Sequence, residues 1–302
     1  MYSIIGASGQ IGRRIAERLV LSGREVRVIA RHRDKLADLE KDGAELRIGD
    51  VRDPEFLAQT FAGAEAVFAM IPPAYGVASF RDYQGVVGRA IVYAVEQAGV
   101  KHVVNLSSVG AHLESGTGPI LGLHDQEERL NQLQGVNVLH LRPTYFMENL
   151  LSSIPGIESR GILETPLRGD VRFPAIATRD IAEVATERLL RLDFRGKVVR
   201  TLLGERDVTM NEITKAIGYA IHRPDLPYAQ VPYEVARQSM IETGCSADVA
   251  HAMLEMLRGM NEGLLIAGTP RAPESTTATS IEEFAKEFAV AYAAAAHRAR
   301  AA

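Results

Sequence analysis

Apolar residues in the first half of the chain follow two alternating patterns. Short apolar, β-branched runs are typical of buried strands, and apolar residues at helical spacing are typical of amphipathic helices. The pattern predicts six strands, at 2–5, 25–30, 44–48, 64–71, 101–106 and 137–141. It predicts intervening helices at 10–22, 34–41, 54–61, 83–98 and 124–133. Strands that alternate with crossover helices indicate a Rossmann-type α/β fold, a doubly wound parallel sheet.

The pattern is less regular after Pro143. It predicts strands at 171–175 and 198–203 and mostly helical segments at 179–192, 211–221, 233–265 and 281–293. We therefore expect an NAD(P)-binding Rossmann domain over residues 1–150. A smaller, mostly helical substrate lobe over residues 151–302 would cover the carboxyl ends of the strands, with some segments returning to the main sheet.

Composition narrows the possible classes of function. The 302 residues are 46% hydrophobic and 24% charged, with a net charge of −4, which is ordinary for a globular protein and does not favour a nucleic-acid partner. No apolar run approaches the roughly 20 residues of a membrane helix, and no signal peptide is evident. The single cysteine, Cys245, cannot form an internal disulfide, and the eight histidines show no metal-ligand spacing. We expect a cytoplasmic protein without a bound metal.

The turn after the first predicted strand carries the clearest chemical signal. It reads Gly6-Ala7-Ser8-Gly9-Gln10-Ile11-Gly12 and leads directly into a helix. In dinucleotide-binding folds the first glycine allows the tight turn, the second admits the pyrophosphate, and the third lets the helix pack on the sheet. The alternative is an unrelated tight turn with three glycines.

Basic residues at the end of the second strand indicate which nucleotide is bound. The stretch Ala30-Arg31-His32-Arg33-Asp34-Lys35 lacks the carboxylate that NAD-preferring folds place at the strand end. Arg31, with Arg33 or Lys35, can meet a 2′-phosphate, so NADP(H) is favoured and NAD(H) remains possible. The alternatives are solvated charges, or Asp34 acting as a displaced acid.

Asp50 and Val51 follow the third predicted strand, where the adenine of a dinucleotide would lie. The alternative role of Asp50 is an Asx-type turn before the next helix.

The region after the fifth strand lacks an expected catalytic pair. Short-chain dehydrogenases carry Tyr-x-x-x-Lys there, in which Lys lowers the pKa of Tyr for proton transfer. Ser107 and Ser108 follow the strand, but the helix that begins at His124 contains neither Tyr nor Lys.

Several segments together resemble one family. They are Ser107-Ser108-Val109-Gly110-Ala111-His112, Leu141-Arg142-Pro143-Thr144-Tyr145-Phe146-Met147-Glu148-Asn149-Leu150, Thr178-Arg179-Asp180-Ile181-Ala182 and Thr269-Pro270-Arg271-Ala272-Pro273-Glu274-Ser275-Thr276-Thr277. The chain resembles the NmrA-like branch of the atypical short-chain dehydrogenases over nearly its whole length. That branch includes NAD(P)H-dependent quinone, azo-dye and triphenylmethane-dye reductases, and NmrA itself, a redox sensor without evident turnover.

The resemblance implies a set of positions around the cofactor. Ile71, Pro72 and Pro73 would lie beside it, and Ser107 and Ser108 near the nicotinamide ribose. The nicotinamide pocket would be lined by Pro143, Thr144, Tyr145 and Phe146.

His124 and Tyr145 are the candidate proton donors. Imidazole can donate a proton near neutral pH, although His124 at a helix start could equally be a capping or surface group. Tyr145 could supply a hydroxyl or simply form the pocket wall.

Other aromatic and thioether side chains could enclose an acceptor. Tyr75, Phe80 and Tyr83 follow the Pro72-Pro73 break, and the methionines at 240, 253, 256 and 260 are either lid or core residues.

These features favour an NADPH-dependent oxidoreductase that transfers hydride to a flat, conjugated small molecule of the quinone, azo, dye or imine class. The alternative is a non-catalytic NAD(P)-sensing regulator that binds a protein partner. The absent Tyr-x-x-x-Lys pair disfavours a sugar-nucleotide epimerase or alcohol dehydrogenase. A homodimer is compatible with either interpretation.

Overall fold

The structure of the protein, a computed structural model, describes residues 1–301 and their side chains through His297. Twelve strands follow one another along the described chain. They are β1 (Tyr2–Ile5), β2 (Val26–Ala30), β3 (Glu45–Ile48), β4 (Ala66–Ala69), β5 (His102–Leu106), β6 (Asn137–Pro143), β7 (Tyr145–Phe146), β8 (Leu163–Thr165), β9 (Phe173–Ile176), β10 (Lys197–Leu202), β11 (Asp207–Val208) and β12 (Tyr228–Gln230).

Eleven α-helices accompany the strands in the described part of the chain. They are α1 (Gln10–Leu21), α2 (Ala37–Lys41), α3 (Pro54–Phe61), α4 (Phe80–Gln97), α5 (Ile120–Asn131), α6 (Ile154–Arg160), α7 (Thr178–Arg191), α8 (Met210–Ala220), α9 (Tyr233–Glu242), α10 (Ala247–Asn261) and α11 (Ile281–Ala301). None of these helices is both long and apolar enough to cross a membrane.

Seven parallel strands form the main sheet, in the order β10-β6-β5-β4-β1-β2-β3. Helices α1, α2 and α7 bury their apolar faces against one side, and α3, α4 and α5 against the other. The predicted doubly wound parallel sheet is confirmed. The chain reverses direction across the sheet between β1 and β4, and this crevice at the carboxyl ends is where open α/β sheets bind ligands.

Most of the chain after residue 150 forms a smaller lobe with its own hydrophobic core. That core is built by α6, α8, α10 and α11 together with β8 and β9. Two later segments lie instead in the main layer: α7 packs on α1, and β10 pairs with β6. The second lobe is thereby connected to the sheet that it covers.

Three predicted elements have different boundaries in the structure. Helix α5 begins at Ile120, directly after Pro119, so the predicted start at His124 is wrong. Helix α4 begins at Phe80, because the Ser79 side chain caps the Asp82 amide and starts the helix three residues early. The predicted helix over 34–41 divides into a 3₁₀ turn and the short α2.

The turn between β1 and α1 depends on the small size of two glycines. Gly6 has φ of 80°, a left-handed conformation that favours glycine. A Cβ on Gly12 would lie 2.4 Å from the Gly6 carbonyl oxygen and 2.9 Å from the Ala7 nitrogen. Helix α1 can therefore approach the end of β1 this closely only because residue 12 has no side chain.

We expect Gly12→Ala to lower the free energy of unfolding by about 2 kcal/mol, because the added methyl group must displace backbone atoms. Gly9→Ala is the matched control, since its Cβ would meet nothing closer than the Gly6 oxygen at 3.4 Å. Urea unfolding of the two variants measures the difference. Equal stabilities would show that the turn relaxes around the methyl group.

Candidate functional site

The N-terminus of α1 is free to receive an anion. Gly9 is the N-cap, no side chain caps the helix, and its first turn contains no acidic residue. Ser8, Gly9 and Gln10 are exposed, whereas Ile11 and Gly12 are buried and contribute through their backbone. Unpaired amides and the helix dipole together favour a phosphate at this position.

Charged side chains cluster beside the ends of β2 and β3. Arg31 is exposed, and no described carboxylate lies within ion-pair distance of it. Arg52 forms a forked ion pair with Asp50 and holds the pKa of that carboxyl below its usual value, with Arg31 adding to the effect. Burial raises the pKa of Tyr83, and the Arg31 guanidinium lies close enough to oppose that change. Two cations therefore flank the predicted adenosine end of the crevice.

The other two basic candidates differ from Arg31. The Arg33 guanidinium pairs with Glu40, while the Lys35 side chain is exposed and its carbonyl accepts a hydrogen bond from Arg13. Val51 packs against the core under α3 and α4. Neither Arg31 nor Lys35 has a carboxylate partner among the described residues, and of the two only Arg31 lies close enough to lower the pKa of Asp50.

A cavity of about 310 Å³ lies over the carboxyl ends of β4, β5 and β6. Its base and sides comprise Met70, Ile71, Pro73, Tyr75, Phe80, Gln84, Leu106, Ser107, Ser108, Val109, Pro119, Ile120, Leu123, Thr144, Tyr145, Phe146, Asn149 and Phe173. The second lobe closes it with Met253, Met256, Met260, Gly263, Leu265 and Ile266. The predicted positions 71, 73, 107, 108 and 144–146 therefore converge on one cavity.

Met70 connects the cavity to the glycine turn. Its sulfur would lie 2.3 Å from a Cβ on Gly6, and the same side chain lines the cavity. A dinucleotide bound along the turn would therefore extend directly into the cavity. Pro72 and Pro143, in contrast, lie outside the cavity wall, and the Pro143 carbonyl accepts the Val109 amide.

A buried ion pair lies beneath Ser107. The Ser107 hydroxyl donates to Glu127 Oε1, and both residues are 3% exposed. Arg142 Nε donates to the same oxygen at 2.9 Å, and Nη2 donates to the other carboxylate oxygen. Because the proton of Ser107 is committed to Glu127, its oxygen presents lone pairs to the cavity and accepts a hydrogen bond there.

His140 belongs to a second buried network on β5, β6 and α5. It is 1% exposed, with Nδ1 3.1 Å from Asn105 Nδ2 and Nε2 3.0 Å from Asn131 Oδ1. Asn105 donates to Nδ1 and Nε2–H donates to Asn131, so only the neutral imidazole satisfies both amides. Burial lowers the pKa of His140 from 6.5 to about 4.

Tyr145 forms part of the cavity wall and packs edge-on against Phe173, with ring centroids 5.5 Å apart. Burial raises the pKa of Tyr145 well above that of free tyrosine, so its hydroxyl remains protonated. Thr144 also faces the cavity, but its hydroxyl donates to the Pro174 carbonyl at 2.8 Å. Tyr145 can thus donate a hydrogen bond to a ligand without readily releasing its proton.

His124 does not line the cavity. Since α5 begins at Ile120, His124 lies in its second turn, and Leu123 occupies the position on the cavity wall. Nδ1 of His124 lies 2.9 Å from the Ala111 carbonyl oxygen and donates to it. The imidazole is therefore held by a backbone carbonyl, and it is neither a helix cap nor part of the cavity wall.

The predicted aromatic and methionine groups divide between two places. Tyr75 and Phe80 line the cavity, whereas Tyr83 faces the Arg31–Asp50 cluster. The methionines at 253, 256 and 260 line the cavity from α10, whereas Met240 on α9 packs against the core of the second lobe.

Glu148 joins the second lobe to the glycine turn. Its carboxylate accepts the Thr178 amide at 2.9 Å, and the Thr178 hydroxyl lies 3.0 Å from Gln10 Oε1. Burial raises the pKa of Glu148, whereas the hydrogen bonds from Thr178 oppose that change. The start of α7 is therefore held against the start of α1.

Sequence reasoning missed Glu127, Arg142 and Arg52 as site residues. Arg142 offered a signal, because a cation within an otherwise apolar strand requires a buried partner. Glu127 offered none, since one of three acidic residues in a helix becomes distinctive only when its burial is known.

The pH dependence of stability should report the neutral state of His140. Between pH 7 and pH 5 the unfolded state gains a proton at this residue and the folded state does not. The free energy of unfolding therefore falls by about 2 kcal/mol from this group alone. His140→Gln lacks this contribution. Urea unfolding at both pH values should therefore show a fall in its free energy of unfolding that is about 2 kcal/mol smaller than in the unchanged protein. Equal sensitivity in the two proteins would mean that His140 takes up a proton when folded.

The chain is similar in sequence to known proteins over nearly its whole length. The profile of the NmrA-like family matches residues 2–285. An NAD(P)H azoreductase from Xenophilus azovorans is 28% identical over 98% of this chain and 100% of its own length. A (4-alkanoyl-5-oxo-2,5-dihydrofuran-3-yl)methyl phosphate reductase from Streptomyces griseus is 28% identical over 97% of this chain and 99% of its own.

Among solved structures, an NADPH-dependent quinone oxidoreductase from Escherichia coli, complexed with NADPH, has a TM-score of 0.79 at 20% identity. The likeness covers 95% of this chain and 99% of that one, and it supports the fold. The family profile, in turn, covers both the glycine turn and the cavity-lining segments of the sheet and the second lobe. The chain therefore belongs to the NmrA-like family.

Proposed function

We propose that this protein is an NADPH-dependent oxidoreductase that transfers hydride to a flat, conjugated small molecule. The observation that carries the proposal is the continuity of two sites through Met70, which touches the glycine turn and lines the cavity. A nicotinamide ring at this junction would face an acceptor held in the cavity. The two relatives from Xenophilus and Streptomyces, both reductases by name, support this chemistry.

The residues of the crevice fit a dinucleotide. The uncapped N-terminus of α1 offers amides to the pyrophosphate, and Gly9 leaves room for it to approach. Arg31 supplies a cation for a 2′-phosphate, and Arg52, held by Asp50, lies beside it. The order of the site would be adenosine at the Arg31 end and nicotinamide at Met70 and Ser107.

The cofactor would supply hydride, and the acceptor must also gain one proton to form a quinol or an amine. The protein provides position rather than strong acid catalysis. Ser107 accepts a hydrogen bond, so the wall donors available to an acceptor oxygen are the hydroxyls of Tyr145 and Ser108 and the Asn149 amide. The three methionines of α10 cover the cavity and limit access of water. An electron-poor acceptor can be reduced here, with its proton drawn from solvent.

A dinucleotide sensor without turnover is the second candidate. It is favoured by Leu123 and Glu127 on α5, which have the four-residue spacing of the absent Tyr-x-x-x-Lys pair. Leu123 lines the cavity without an acidic group, and Glu127 is engaged by the Ser107 hydroxyl. A sensor of this kind would bind a protein partner rather than a small-molecule substrate. For the reductase we propose a cytoplasmic location, consistent with the free thiol of Cys245.

The proposal is tested by following NADPH absorbance with a panel of quinones, azo compounds and cyclic imines. We expect oxidation that depends on one acceptor class and is abolished in Gly9→Ala, whose methyl group occupies the approach of the pyrophosphate. Equilibrium binding of NADPH is measured on the same samples. Tight binding without oxidation of any acceptor would favour the sensor, and absence of binding would overturn both functions.

Arg31→Ala should weaken NADPH binding about tenfold and leave NADH binding nearly unchanged, because one charge-assisted contact to the 2′-phosphate is lost. Arg33→Ala is the control, since that guanidinium already pairs with Glu40. Calorimetric titration with both dinucleotides measures the ratio. Parallel losses for NADPH and NADH would contradict a phosphate-reading role for Arg31.

A further inference from the structure

The described residues that line the cavity include no charged side chain. Its lining is formed by aliphatic, aromatic and thioether groups, with amides and hydroxyls as the polar members. No lysine, arginine, histidine, aspartate or glutamate is among the described residues of the wall. A charged substituent that entered this cavity would lose water without gaining an ionic partner.

Several ionisable side chains around the cavity are already engaged in contacts within the protein. Beneath Ser107, Arg142 neutralises Glu127 through a forked contact. Near the entrance, Asp248 accepts the Phe80 amide at 2.7 Å, and so binds the first turn of α4. Behind the wall, the Nδ1–H of His124 is donated to the Ala111 carbonyl.

The character of the wall suits a neutral ring. The sulfurs of Met70, Met253, Met256 and Met260 are polarisable and make favourable contacts with aromatic rings. A volume of about 310 Å³ is at the lower end of the usual range for ligand pockets, about 300–1,000 Å³. Because the nicotinamide would take up part of this volume beside Met70 and Ser107, a compound of one or two fused rings fits the space left better than a dye with several separate aryl groups.

We propose, building on the reductase function above, that the acceptor is an uncharged one- or two-ring conjugated carbonyl compound of the quinone type. The cavity selects against sulfonated, phosphorylated and cationic acceptors. Reduction is balanced: the quinone and NADPH, with one proton from solvent, give the hydroquinone and NADP⁺. Tyr145 and Asn149 orient the acceptor carbonyl by donating hydrogen bonds.

A matched series of ligands that cannot be reduced isolates the charge preference from redox potential. The series is a naphthalenediol, a hydroxynaphthalene sulfonate and a naphthalene disulfonate, each with one substituent on each ring. A single sulfonate can remain at the cavity entrance, whereas the second sulfonate of the disulfonate must enter. Calorimetry with the NADPH-bound protein should give at least tenfold weaker binding of the disulfonate than of the diol. Equal or tighter binding of the disulfonate overturns the inference.

Met253→Lys should largely remove the preference for the neutral ligand. Met253 lines the cavity but, unlike Met256 and Met260, packs against neither neighbouring hydrophobic cluster, so the substitution leaves those cores intact. The new ammonium should tighten disulfonate binding about tenfold relative to the diol. Val290→Lys makes the same charge change at an exposed position on α11 and should leave the ratio of the two affinities unchanged.

The outcomes separate this inference from the proposed function. Absence of NADPH oxidation with every acceptor overturns the reductase, while the binding series still measures the charge preference of the cavity. Efficient reduction of sulfonated and neutral naphthoquinones alike, together with an unchanged affinity ratio in folded Met253→Lys, overturns the selectivity and leaves the reductase standing. Thermal unfolding and NADPH affinity establish that the variant is folded.

Discussion

Helix α1 starts directly against the end of β1, and the rest of the site is arranged around this contact. The approach requires that residue 12 have no Cβ, because the Gly6 oxygen occupies the space a methyl group would need. The same contact turns unpaired amides towards the crevice between β1 and β4. Gly6 in turn packs on Met70, which brings the cavity to the end of the phosphate site. A close steric contact thus fixes the distance between the place for a phosphate and the place for an acceptor.

Buried polar groups give the base of the cavity a defined orientation. Glu127 and Arg142 neutralise each other and fix the hydroxyl proton of Ser107, so this side chain faces the cavity as an acceptor. His140 remains neutral between two asparagines a short distance along the same strand. Removing one member of such a network leaves its partner buried and unsatisfied, which is far more costly than the net contribution of the intact contact. The base of the cavity therefore combines paired charges below its surface with an uncharged lining among the described residues.

The second lobe completes the cavity without belonging to the sheet. Its α10 supplies the methionine wall, while α7 and β10 lie in the main layer and keep the lobe in register with the strands. The contact of Glu148 with Thr178, and of Thr178 with Gln10, joins the glycine turn to the start of α7. Packed elements of the second lobe therefore connect the glycine turn with the methionine wall.

The sheet, the glycine turn and the basic residues at the end of β2 could all be predicted from the sequence. These depend on periods of two and 3.6 residues and on backbone conformations that few residues other than glycine adopt, and both are local properties of the chain. Which side chains face the cavity could be seen only in the tertiary structure. A shift of four residues in the start of α5 placed Leu123 on the wall and His124 behind it. Glu127, Arg142 and the three methionines acquire their roles from neighbours distant in sequence, because burial and pairing are set by how separate elements pack.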